Sequence, residues 1–149
     1  MKRRVIREET LQMSCKEFWC AISDVKNLPL WAKFVTKSQA GGPLEEGSIY
    51  SDITTILWIP LKIKHIVKDI KKEERITLEL PLFFGGMMWE NFVIKKRGND
   101  TYVRAEVSFD LKWSVIDLVI GTILEKRVDK MLKCSMQNLQ DKWLLREQC

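Results

Sequence analysis

From Ile116 to Trp143 the sequence carries one apolar stripe at helical spacing: Ile116, Ile120, Leu124, Val128, Leu132, Met136, Leu139 and Trp143. The steps are three and four residues, the period of one helix face. Glu125, Lys126, Asp129, Lys130, Lys133 and Asp141 occupy the opposite side. Ser114-Val115-Ile116-Asp117 supplies a start resembling a capping box. The pattern predicts one helix of about 30 residues, spanning about 45 Å. Such a helix has to lie across something as long as itself.

The candidate for that surface precedes it. After the Gly41-Gly42-Pro43 turn, β-branched segments alternate with turn signals at Glu46-Gly47, Ile59-Pro60, Lys71 to Glu74, Gly85-Gly86 and Gly98-Asn99-Asp100. This reads as a meander of antiparallel strands. In the last, Val103, Ala105, Val107, Phe109 and Leu111 alternate with Tyr102, Arg104, Glu106, Ser108 and Asp110, giving one apolar and one wet side. Leu61, Ile63, His65 and Val67 oppose Lys62, Lys64 and Lys68 in the same way, and Ile76, Leu78, Leu80 and Leu82 form another apolar row. Val5 to Met13 reads as a further, imperfectly alternating strand. Ser14-Cys15-Lys16-Glu17 is a capping box for a short helix with Phe18, Trp19 and Ile22 on its apolar side, and a second short helix follows around Pro29. The order is strand, two short helices, about six strands, one long helix. The expected fold is α+β, a curved antiparallel sheet of six to seven strands wrapped around the C-terminal helix as one domain over residues 1–149. A curled sheet cannot touch a straight helix everywhere, and the gap is where a pocket forms.

Composition narrows the class. The 149 residues are 46% hydrophobic and 30% charged, the balance of a folded chain rather than a disordered one. The longest nearly uncharged stretch, 53–61, is far short of the roughly 20 residues a membrane-spanning helix needs. The basic start is followed by Ile6-Arg7-Glu8-Glu9-Thr10, without the apolar run of a secretory signal, so a cytoplasmic location with free thiols is expected. Four cysteines without a C-x-x-C pair and a single histidine supply no zinc signature, and no metal or cofactor is expected. A net charge of +5 permits weak attraction to anionic surfaces but predicts no specific DNA binding.

The element order, together with Phe18-Trp19-Cys20-Ala21-Ile22-Ser23-Asp24-Val25-Lys26-Asn27-Leu28-Pro29-Leu30-Trp31, resembles the SRPBCC superfamily, also called START-like or helix-grip. Leu44-Glu45-Glu46-Gly47-Ser48 resembles its entry into the third strand, and Thr101-Tyr102-Val103 resembles its penultimate element. The resemblance covers nearly the whole chain and includes the polyketide cyclase/dehydrase and lipid-transport type. It implies a cavity between sheet and helix, and leaves function open because the fold hosts carriers, enzymes and protein-binding modules.

Three functional readings follow. The first is binding or carriage of a hydrophobic small molecule (lipid, quinone or polyketide-like ring). Its expected walls are Trp31, Leu57, His65, Leu78, Trp89, Val103, Val107, Phe109, Ile120 and Leu124, with His65 as the polar contact. The unusually apolar Leu82 to Trp89 stretch suggests a gate at Phe83, Phe84, Met87 and Met88. The second is a module that touches a membrane surface, a ribosome or a protein through the Lys62, Lys64 and Lys68 row and that loop. The third is a cyclase or dehydratase, which needs polar groups converging in the cavity. Asp52, Glu79, Glu90 and Asp110 read as scattered and solvated, and no acid can be paired with His65. Gly121, inside the long helix, marks a bend, a close packing contact or room for a ligand.

Overall fold

The computed structural model describes residues 2–56 and 58–143. Met1, Leu57, residues 144–149 and the side chains of Phe84, Lys142 and Trp143 lie outside the described residues.

Seven strands form one antiparallel sheet. They are β1 (Lys2–Leu11), β2 (Val35–Ala40), β3 (Ile49–Ile56), β4 (Ile59–Lys71), β5 (Arg75–Pro81), β6 (Met87–Arg97) and β7 (Asp100–Asp110), in the order β1-β7-β6-β5-β4-β3-β2. Strands 2 to 7 are the meander expected from the turn signals. β1 instead pairs with the last strand, Val5 opposite Val107. The chain crosses from β1 to the far edge through α1 (Cys15–Ser23), a 3-10 turn (Val25–Asn27) and α2 (Leu28–Trp31). Ser14 and Glu17 close the capping box that starts α1. The long helix, α3 (residues 114–143), begins with an α turn at Ser114–Ile116 and widens to a π segment at Asp117–Gly121. It continues as α-helix over Thr122–Asn138 and ends in a second π segment at Leu139–Trp143.

The two apolar patterns meet as the core. Val103, Ala105, Val107 and Phe109 of β7 are wholly buried, and so, nearly, are Leu124, Val128, Leu132, Met136 and Leu139 of α3. Burying a large aliphatic side chain contributes about 1.5–3 kcal/mol, so this seam is the main reason α3 stays on the sheet. Two hydrogen bonds fix the end of α2 against it: Ser135 Oγ accepts from the Lys33 amide at 2.8 Å, and Asn138 Nδ2 donates to the Trp31 carbonyl at 3.1 Å.

The first turns of α3 depart from the expected stripe. Ile116 and Ile120 are only half-buried, while Asp117 and Gly121 point inward. No side chain caps the helix start, contrary to the capping-box reading of Ser114. The reason lies in β1. Its inward-facing register includes Arg3 and Arg7, opposite Phe109 and Ala105. Arg3 Nε donates to Asp117 Oδ1 at 2.9 Å and Nη1 to Glu125 Oε2 at 2.9 Å, and Arg7 Nε donates to Asp129 Oδ1 at 3.0 Å. The interrupted alternation of β1 is therefore an edge strand reaching for acids on the helix. Gly121 leaves room for this contact: a Cβ there would collide with Arg3 Nε and lie 2.8 Å from Asp117 Oδ1.

Cys15 and Cys134 are free, whereas Cys20 takes part in a disulfide, which corrects the expectation of free thiols throughout.

Candidate functional site: a cavity between sheet and helix

A cavity of about 140 Å³ lies between the inner face of β3 to β6, α2 and the middle of α3. Most of its wall is apolar: Phe18 and Ile22 of α1, Leu28 and Trp31 of α2, Ile76, Leu78 and Leu80 of β5, and Leu124, Val128 and Leu132 of α3. The Trp31 indole N–H donates to the Ala21 carbonyl at 2.9 Å, so the ring presents an apolar face to the space. Lys33, Phe34, Thr55, Ile56, Phe83 and Arg127 are the more exposed wall residues, where the cavity approaches the surface. The Arg127 guanidinium stacks 3.6 Å from the Phe34 ring centre there. Phe34 itself holds a left-handed φ of 74°.

One side of the wall is polar. On β3, Tyr50, Asp52 and Thr54 point inward and are buried, while Ile49 points out and is exposed. Register sets Tyr50 against His65 of β4 and Asp52 against Ile63. The His65 imidazole stacks on Tyr50, centroids 4.4 Å apart and planes 4° apart. His65 Nε2 lies 2.8 Å from Asp52 Oδ2, and Thr54 Oγ1 donates to Asp52 Oδ1 at 2.7 Å. Among the described residues, His65 Nδ1 is buried with no hydrogen-bond partner. Glu90 of β6 faces the same space between Leu78 and Val107 of its neighbouring strands. Burial pushes its carboxyl up from the usual range, the nearby His65 opposes this, and Asp52 adds to it. Burial likewise pushes the Tyr50 hydroxyl well up, so it stays neutral.

Two expectations are corrected here. Asp52 and Glu90 are not on the wet face, and His65 does have a paired acid. The alternation of β4 put His65 inward, but the register that brings Asp52 to it is a cross-strand relation. Ile49 and Ile53 obscure the parity of β3, because branched residues on the outer face of a strand look like core.

The expected wall residues divide. Trp31, His65, Leu78 and Leu124 line the cavity, with Phe83 and Met88 of the expected gate. Val103, Val107 and Phe109 are buried in the core without lining it, and Ile120 is half-buried outside it. Met87 also lies outside the lining, whereas Met88 is a buried strand residue rather than a loop tip. Trp89 is a correction: it stands on the outer face, its indole N–H 3.1 Å from Glu79 Oε2 and Lys2 Nζ 4.7 Å from its ring. The parity of β6 explains this, since Met88 and Glu90 take the inward positions. Residues missed by sequence reasoning are Tyr50, Asp52, Thr54, Glu90 and Arg127. Lys62, Lys64 and Lys68 stand exposed on the outer face, as expected. Among the described residues, no helix is long and apolar enough to cross a membrane, and no group of three or more His, Cys, Asp or Glu is placed to hold a metal.

No protein-family profile and no curated protein matches this sequence. Solved structures do match in shape. Ara h 8.0201 superposes with a TM-score of 0.77 over 98% of this chain and 100% of its own, at 8% identity. A START superfamily protein from Mycobacterium smegmatis gives 0.76 over 92% and 94%, at 15% identity. A point mutant of norcoclaurine synthase from Thalictrum flavum, in complex with a transition-state analogue, gives 0.69 over 92% and 93%, at 13% identity. This chain shares the helix-grip fold of these structures.

Proposed function

We propose that this helix-grip protein binds a small apolar molecule in the cavity between its sheet and α3. The observation that carries this is the cavity wall: apolar side chains from α1, α2, β5 and α3 surround a space left unfilled by the core. A well-packed interior has few voids larger than a water molecule, so an apolar void this size is a departure from ordinary packing. About 140 Å³ is close to the volume of dry aliphatic cavities that take up benzene. The space therefore suits a single ring better than a whole lipid, and a quinone-like or polyketide-like ring head is favoured among the candidate classes. Trp31, Leu78 and Leu124 act as its walls, with Phe83 at its rim.

Native mass spectrometry of freshly purified protein, with solvent extraction, tests this. A stoichiometric co-purified apolar molecule is expected, or a rise in Tm with a panel of small aromatic compounds. A ligand at a hundred times its Kd stabilises by about 2.7 kcal/mol. A clean mass with no member of the panel raising Tm would count against binding.

The Asp52–His65 pair favours a second reading, acid–base chemistry on the bound molecule. The carboxylate orients the imidazole of this cavity-wall residue and leaves its other nitrogen without a partner among the described residues, the arrangement a general base needs. Exchange of acidic C–H protons of a bound ring ketone into D₂O by wild type, and not by His65→Leu, is the outcome that would establish it.

A further inference from the structure

We propose that the ligand is a ring carrying a hydrogen-bond donor, a phenol-type hydroxyl, and that His65 Nδ1 accepts its proton. This deepens the binding function proposed above and rests on it. The argument starts from the lone pairs of Asp52. One oxygen accepts from Thr54 Oγ1 at 2.7 Å, and the other lies 2.8 Å from His65 Nε2. The carboxylate is acceptor-only when ionised, so in the neutral imidazole this hydrogen bond places the ring proton on Nε2 and leaves Nδ1 an acceptor. Tyr50, stacked flat on the imidazole, holds its plane.

Nδ1 is buried and has no partner among the described residues, and His65 is only 6% exposed in a cavity wall. Buried polar atoms are nearly always satisfied, so an orphan acceptor on a cavity-wall residue calls for a donor from whatever fills the cavity. A hydroxyl supplies that donor without bringing a charge. An ammonium would have to leave water for an apolar wall, while both Asp52 oxygens are already engaged. Glu90 completes the match. Burial pushes its carboxyl toward the neutral form, which donates a hydrogen bond to the hydroxyl oxygen.

Phenol and toluene test this, because they match in size and differ by OH for CH₃. Calorimetric titration of the full chain should give phenol at least about tenfold tighter, the penalty of leaving a buried acceptor unpaired. His65 is the sole histidine, so ¹⁵N imidazole resonances report on it without ambiguity. The Nδ1 resonance should move with phenol and stay in place with toluene. In His65→Leu the preference should fall to about one. If that variant does not fold, the wild-type imidazole signal alone decides. Equal affinities, or an Nδ1 resonance unmoved by phenol, would overturn donor recognition while leaving the apolar cavity reading intact. Failure of both probes to bind at millimolar concentration would overturn the two together.

Discussion

Two regions invert the usual distribution of residues, in opposite directions. The inner wall formed by β3 and β4 places Asp52, Thr54 and His65 in an apolar interior. The start of α3 places Trp113, Val115, Leu118, Val119 and Ile123 at the surface, between 47% and 77% exposed. The inner inversion is held by complementary bonds: each Asp52 oxygen has a partner, which is what makes a buried carboxylate tolerable. The outer inversion follows from competition. Arg3 claims the inward positions of α3 for Asp117 and the small Gly121, so the apolar side chains of that turn face out. A polar group inside is thus a matter of which strand lies beside it, and an apolar group outside a matter of what a distant arginine requires.

That contrast can be broken by mutation. Asp52→Ala should have the largest effect, about 2–4 kcal/mol lost in urea unfolding, because it leaves the His65 and Thr54 donors unpaired. A loss below about 1 kcal/mol would mean that the inner cluster is wet rather than bonded. Gly121→Ala comes next. Glycine to alanine inside a helix ordinarily gains up to about 1 kcal/mol, but here the added methyl meets the Arg3–Asp117 pair. A net loss of about 1–3 kcal/mol is expected, and a gain would show that the arginine moves aside freely.

Glu90→Gln sharpens the inner side. A carboxyl whose folded pKa is raised binds more protons folded than unfolded, so stability falls as pH climbs from its ordinary value of 4.5 through the raised one. Removing the acid should raise Tm at pH 8 by about 2–4 °C, the change about 1 kcal/mol produces in a domain of this size. The difference should vanish well below pH 4.5, where both states are protonated in wild type. A Tm difference independent of pH would point to packing instead of ionisation. Leu118→Lys should have the smallest effect, within about 0.5 kcal/mol, since the side chain is 77% exposed. A large loss there would mean the outer stripe is covered.

Much of this architecture is legible in the sequence where a single period governs. The alternation of β7 and the stripe from Leu124 to Leu139 each bury the residues their spacing marks. The site is less legible, because it is assembled across strands. His65 could be placed inward from β4 alone, yet its acid sits on β3, where Ile49 and Ile53 take the outer face. Trp89 stands on the outer face of β6, while the inward position beside it belongs to a glutamate that hydropathy alone places in water. The first turns of α3 failed for a related reason: Arg3, more than a hundred residues away, decides which face turns inward.

The pairing of β1 with β7 also bears on time. Arg3 and Asp117 are separated by 114 positions in the chain. On a ribosome adding roughly 5–20 residues per second, the first strand waits on the order of 5–20 seconds for its sheet neighbour, β7, to be made. Throughout that interval it is an edge without a mate, and its arginines and glutamates are the residue types that keep such an edge from pairing with the wrong chain.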